Sequence, residues 1–179
     1  MKQRIHLFGA SGSGTTTIAK GVCDAIRYKH FDSDDYFWLP TGDPFTMERP
    51  RDECLNLLKS DLLHNTQWVL SGSLTGWGDA LVSLFDLVVF VYVPQDVRLE
   101  RLQKREFERY DERVLSGGNR CEDSQAFLEW AAAYDAGTRN GRSLAKHERW
   151  LDDVACSVLR INNHSLEDSV HAVLKAIQQ

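Results

Sequence analysis

Apolar residues come along this chain in two rhythms. Short runs in which nearly every residue is apolar (residues 5–8, 68–70 and 87–93) alternate with longer stretches where apolar residues recur every three or four positions. The short runs have the length of strands buried on both faces, and the run LVVFVYV at 87–93 is the strongest of them. The longer stretches predict helices over residues 16–28, 51–63, 127–134 and 165–177, with another starting near residue 97. In the second of these, Cys54, Leu55, Leu58 and Leu62 share one face. Two further strands are predicted, one ending over residues 30–33 and one at 157–161. Pro94 closes the strongest strand. Ser165, with Asp168 three residues on, has the pattern of a helix N-cap. Strand and helix in alternation predict a parallel sheet covered on both faces, here a three-layer α/β/α domain with five strands. The rhythm fails between residues 107 and 142, where Ser116-Gly117-Gly118-Asn119 marks a turn or hinge.

Composition narrows the picture a little. A chain of 179 residues can bury a proper core as one domain. Its formal charge of −5 argues against nucleic acid or an acidic membrane as the main partner. A strand begins almost at once and no apolar run nears spanning length, so the expectation is a cytoplasmic protein without a signal peptide. Cys23, Cys54, Cys121 and Cys156 are scattered, with no C-x-x-C spacing, and are expected as reduced thiols. The six histidines form no ligand pattern either.

Chemistry concentrates where the first strand meets the first helix. Gly9-Ala10-Ser11-Gly12-Ser13-Gly14-Thr15-Thr16 fits the phosphate-loop pattern G-x-x-x-x-G-K-[ST] except at the seventh position, where Thr15 replaces lysine. A glycine-rich turn there lets successive amides converge on one anion at the positive end of a helix dipole. Gly9, Ser11, Gly12, Ser13, Gly14, Thr15, Thr16 and Thr17 are therefore predicted to bind nucleotide phosphates, with Thr16 placed to ligate magnesium. The alternative is a flexible glycine turn with no ligand.

Other groups gather around the same edge. Asp32 and Asp34, two apart on a predicted strand, point to one face where ligands of parallel α/β sheets bind, or else form a solvated acidic turn. Arg98, Arg101 and Arg105 share a helix face; with Glu100, Glu106 and Glu108 among them, a salt-bridged exposed helix is the alternative. Arg139 and Arg142 follow the irregular stretch. Phe127, Trp130 and Tyr134 recur at helical spacing, which predicts core packing. Trp38 and Trp77 sit in loops, suited either to a ring-shaped ligand or to anchoring those loops.

Taken together and in order, these features resemble the small P-loop kinases: adenylate, shikimate and gluconate kinase. Phe31-Asp32-Ser33-Asp34 resembles the F-x-D-x-D of shikimate kinase, and Ser71-Gly72-Ser73 stands in the place of its glycine triplet. Residues 98–105 resemble the arginine-bearing helix that leads into the lid, and Arg160-Ile161-Asn162-Asn163 falls at the loop that packs on adenine. The stretch GASGSGTTT resembles that of bacterial adenylate-kinase-like or AAA-family ATPases.

The resemblance implies a P-loop NTPase fold over residues 1–179 with a helical lid at about 107–142, and ATP and Mg²⁺ as cofactors. It implies that Thr16 and Asp32 hold magnesium and that Asp34 orients the acceptor hydroxyl. Arg101 and Arg105 reach the nucleotide in this picture, and Arg139 or Arg142 supplies the charge missing at Thr15. The activity implied is ATP-dependent phosphorylation of a small nucleoside, nucleotide or sugar acid by a monomer or homodimer. Tyr36-Phe37-Trp38-Leu39-Pro40 matches neither an adenylate nor a shikimate pocket. A nucleotide-binding sensor or adaptor and a simple ATPase are the rival readings; Thr15 favours the first. The second lacks a strand ending in an acidic pair.

Overall fold

A computed structural model describes residues 1–179. Five strands pair entirely in parallel: β1 (Arg4–Gly9), β2 (Lys29–Asp32), β3 (Trp68–Ser71), β4 (Leu87–Tyr92) and β5 (Ser157–Asn162). Their order across the sheet is β2-β3-β1-β4-β5. The connecting helices are α1 (Thr15–Ile26), α2 (Ser33–Phe37), α3 (Arg51–Leu63), α4 (Gln95–Tyr110), α5 (Cys121–Ala132), α6 (Leu144–Asp152) and α7 (Leu166–Gln178). A 3₁₀ segment, Asp79–Leu84, precedes β4.

Alternation along β1 splits the core into two layers, because successive side chains of a strand face opposite ways. Ile5 and Leu7 join Ile18, Ala19 and Val22 of α1 with Val173 and Ile177 of α7 on one face. Phe8 joins Leu58 and Leu62 of α3, Leu81 and Leu151 on the other. Trp68, Val69 and Leu70 are buried as the apolar run predicts, and β4 is buried over Leu87 to Val91. β5 lies at the sheet edge, with Ser157, Val158, Arg160 and Asn162 exposed. The Ser165 hydroxyl accepts from the Asp168 amide at the start of α7, as the N-cap pattern predicts.

The fold differs from the sequence reading in two places. α4 runs unbroken to Tyr110, into the stretch where the apolar rhythm fails. Leu102, Glu106 and Tyr110 are buried at four-residue spacing along it, so a buried glutamate, paired with Arg109 at 3.6 Å, hides the periodicity. More important for chemistry, Asp34 is not on a strand: β2 ends at Asp32, and Asp34 lies in the first turn of α2. Asp32 caps that helix by accepting the Asp34 amide at 3.1 Å. The short polar side chain competes with continued strand pairing and turns the chain.

Candidate active site

The chain leaves β1 for β2 on one side of the sheet and leaves β3 for β4 on the other. Since β3 and β1 are neighbours, their departing loops diverge and open a crevice at the carboxyl edge. The loop after β1, the Ser71-Gly72-Ser73 turn after β3 and the acidic end of β2 all meet there. Together they line a cavity of about 240 Å³, joined by Arg101, Arg105 and Arg142.

Local backbone shape sets the loop. Gly12 and Gly14 hold φ of 81° and 87°, and a β-carbon at Gly12 would press on the Arg98 carbonyl. The Ser13 amide is used by the Ala10 carbonyl, and the Ile18 amide by Gly14. The amides of Thr15, Thr16 and Thr17 belong to the first turn of α1, where helix geometry offers them no intrahelical acceptor, and that turn carries no acidic residue. From below, the buried Asn163 amide donates to the Ser13 carbonyl at 2.8 Å, and its own oxygen accepts from Ser169. Asn163 thus clamps the loop to the start of α7.

The acidic side is a hydrogen-bonded chain. Thr16 Oγ1 donates to Asp32 Oδ2 at 2.7 Å, Ser71 Oγ donates to the same oxygen at 3.0 Å, and His30 Nε2 lies 3.0 Å from Ser71 Oγ. The Thr16–Asp32 pair is a set of hard oxygen donors beside a phosphate-sized cavity. Such a set fits magnesium, which takes few protein ligands and keeps water and phosphate oxygens.

Asp34 and Arg142 stand at a junction. Both line the loop cavity and two further cavities, of about 390 and 530 Å³, that open away from it. Asp34 is exposed as a whole residue and lines the cleft. Burial by the cleft walls and the neighbouring Asp32 charge nonetheless hold its pKa above the ordinary carboxylate value, with Arg142 and Arg105 pulling the other way. Burial lowers the pKa of Arg142 and Arg105 from the usual guanidinium value, and the Asp34 charge opposes that. Both remain cations, since guanidinium groups do not deprotonate in proteins.

The predicted arginines separate into distinct places. Arg101 Nη1 reaches the Gly12 carbonyl at 3.4 Å, and Arg142 Nη2 reaches Ser11 Oγ at 3.5 Å. The Arg142 guanidinium also lies 5.1 Å from the Trp130 ring centre. Arg98, on the same helix, does not line the cleft: it is wholly buried, bonded to Asp135 and to the Val93 and Ala131 carbonyls. Arg139 is exposed and paired with Glu129 at 2.8 Å, away from the cleft. Trp130 and Phe127 line the cleft rather than the core, whereas Tyr134 is buried.

Sequence reasoning passed over His147. It is buried behind the cleft, with Nδ1 2.8 Å from the Tyr134 hydroxyl and Nε2 3.5 Å from Ser73 Oγ. Its two partners come from separate stretches of chain, so no local motif announces them.

YqaC of Bacillus subtilis (strain 168), an uncharacterized protein, is 48% identical over 175 residues, 97% of each chain. This chain belongs to the YqaC family. No family model matches the chain. The cytidylate kinase of Archaeoglobus fulgidus is similar over 114 residues at 28% identity, covering 58% of this chain and 62% of that one. Among solved structures, shikimate kinase from Acinetobacter baumannii in complex with shikimate superposes with a TM-score of 0.58 at 17% identity, covering 98% of this chain and 93% of that one. This YqaC-family chain therefore has the five-stranded P-loop kinase fold. No helix is long and apolar enough to cross a membrane.

Proposed function

We propose that the protein transfers the γ-phosphoryl group of ATP to a hydroxyl of a small acceptor. The observation that carries this reading is the placement of Asp34 and Arg142 between the phosphate-loop cavity and the two outer cavities. A binder alone has no need of a carboxylate at that junction. The loop amides and Arg101 hold the β- and γ-phosphates. Asp34 accepts a hydrogen bond from the acceptor hydroxyl and aims its oxygen at the γ-phosphorus. The new O–P bond forms as the bond between the γ-phosphorus and the β–γ bridging oxygen breaks. ADP leaves, and the hydroxyl proton passes to Asp34 and then to water. Arg105 and Arg142 neutralise charge on the transferring group, the task a loop lysine performs elsewhere. Thr16 and Asp32 are the residues that would hold magnesium, which supplies charge neutralisation across the terminal phosphates.

Thr15 supports a second reading, a nucleotide-binding sensor that transfers little or nothing. ATP consumption measured with a panel of acceptors separates the two. Under the kinase reading, Arg142→Ala lowers turnover at least about 10²-fold, Arg139→Ala leaves it unchanged, and Thr15→Lys helps little. A Thr15→Lys protein that gains strong activity, beside an inert Arg142→Ala change, selects the sensor.

A further inference from the structure

The larger outer cavity says what kind of acceptor fits. It measures about 530 Å³ and is walled by Phe37, Trp38, Trp77, Phe127 and Trp130. That volume suits a whole small molecule rather than a single functional group. The indole N–H of Trp77 donates to the Ser73 carbonyl at 3.2 Å, and that of Trp130 to the Asn140 carbonyl at 3.0 Å. Their polar edges are thus consumed by backbone, which fixes the rings, with Trp130 also stacked on Phe127 at 6.1 Å and lying under Arg142.

Three cations and two carboxylates line this cavity. Glu48 pairs with Arg51 at 3.9 Å, Arg51 also lies over the Phe37 ring, and the Asp34 charge acts on Arg142. Lys146, at the exposed rim, donates to the Gly141 carbonyl at 2.7 Å. An acceptor carboxylate or phosphate deep in the cavity would find only Arg142, which the reading above commits to the transferring phosphoryl group, and burying it without a cation of its own is costly. Its two hydroxyl side chains, Ser73 and Thr75, bond to each other at 3.1 Å.

We infer that the acceptor is an uncharged alcohol carrying a planar heterocycle, a nucleoside in chemical class, with its ring among Trp38, Trp77 and Trp130 and its hydroxyl at Asp34. This rests on the phosphoryl-transfer reading above. Flat rings stack on indole faces without needing matched donors, so aromatic walls recognise them where sugar acids gain little.

The test uses the full chain with adenosine, cytidine and thymidine against gluconate, shikimate and cytidine monophosphate. Binding is followed by tryptophan fluorescence in the absence of ATP, and turnover by ATP consumption. A nucleoside is expected to quench the fluorescence and to be phosphorylated. Trp77→Ala should weaken its binding about 10-fold or more, and Trp77→Phe, which keeps a ring face, should recover most of it. A circular dichroism spectrum unchanged by the substitution excludes misfolding as the cause. Phosphorylation of a sugar acid or the monophosphate with all nucleosides inert overturns the inference and leaves the kinase reading standing. Nucleoside binding with no transfer to any acceptor does the reverse. A panel in which no nucleoside binds also overturns it.

Discussion

Asp34 is costly to the fold and, under the phosphoryl transfer proposed above, necessary to the chemistry. Burial and Asp32 raise its pKa in the folded protein above the unfolded value. The sign follows: below the unfolded pKa both states hold the proton and nothing is lost. As pH rises through the folded pKa the native state must carry an unfavourable charge. At neutral pH Asp34→Asn is therefore expected to raise the thermal midpoint while cutting turnover on the order of 10²-fold. Differential scanning fluorimetry beside steady-state kinetics checks both. A variant that loses activity and stability together would make Asp34 a structural residue. Position by position, the loop glycines and Thr16 were legible in the sequence because their spacing is local. The route by which Asp34 reaches the cleft was not, since the Asp32 cap turns the chain one residue before strand alternation would apply.

At the scale of elements, α4 does two jobs on one helix. Arg101 and Arg105 line the cleft, while Arg98, one turn earlier, is a buried tie between α4 and the stretch after α5. Arg98 bonds the carbonyls of Val93 and Ala131 as well as Asp135, and its guanidinium lies 5.1 Å from the Tyr134 ring centre. Removing one member of such a pair leaves a charge and two carbonyls short of partners, so Arg98→Ala is expected to cost about 3 kcal/mol. Urea unfolding monitored by circular dichroism measures it, and a loss under about 1 kcal/mol would place Arg98 among ordinary surface charges. Heptad-like spacing groups all three arginines on one face. Only the packing of α5 and the turn after it over the first turn of α4 sets Arg98 apart.

For the molecule as a whole, two neutral histidines in one apolar layer set the response to acid. His6 is wholly buried, stacked on Phe85 at 4.9 Å, with Nδ1 bonded to the Leu70 carbonyl and Nε2 without a partner. Burial lowers the pKa of both His6 and His147 to about 3. Between pH 6.5 and 3 the unfolded chain binds protons that the folded one refuses, so stability is fully present above pH 6.5 and falls as pH drops. Each histidine contributes a slope of about 1.4 kcal/mol per pH unit within that window. Unfolding free energies taken between pH 6.5 and 5, above the range of most carboxylates, should show this loss. His6→Phe should remove the contribution of one buried histidine, up to about 1.4 kcal/mol per pH unit of that slope.

What the sequence determined by itself was whatever depends on near neighbours along the chain. The buried parallel strands, the N-cap at Ser165 and the phosphate loop each follow from spacing and conformational preference within ten residues or so. Tertiary structure alone decided which of the charged and aromatic residues face one another. Asp34 and Arg142, 108 positions apart in the numbering, line the same three cavities. Trp130, spaced as a core residue, became a cleft wall beneath Arg142, and His147 became the buried partner of Tyr134 and Ser73. These juxtapositions arise from the strand order, which brings the ends of β1, β2 and β3 to one edge and lets the later helices close over them. Local periodicity carries no record of that order, because a helix face or strand face is written the same way whatever element it meets.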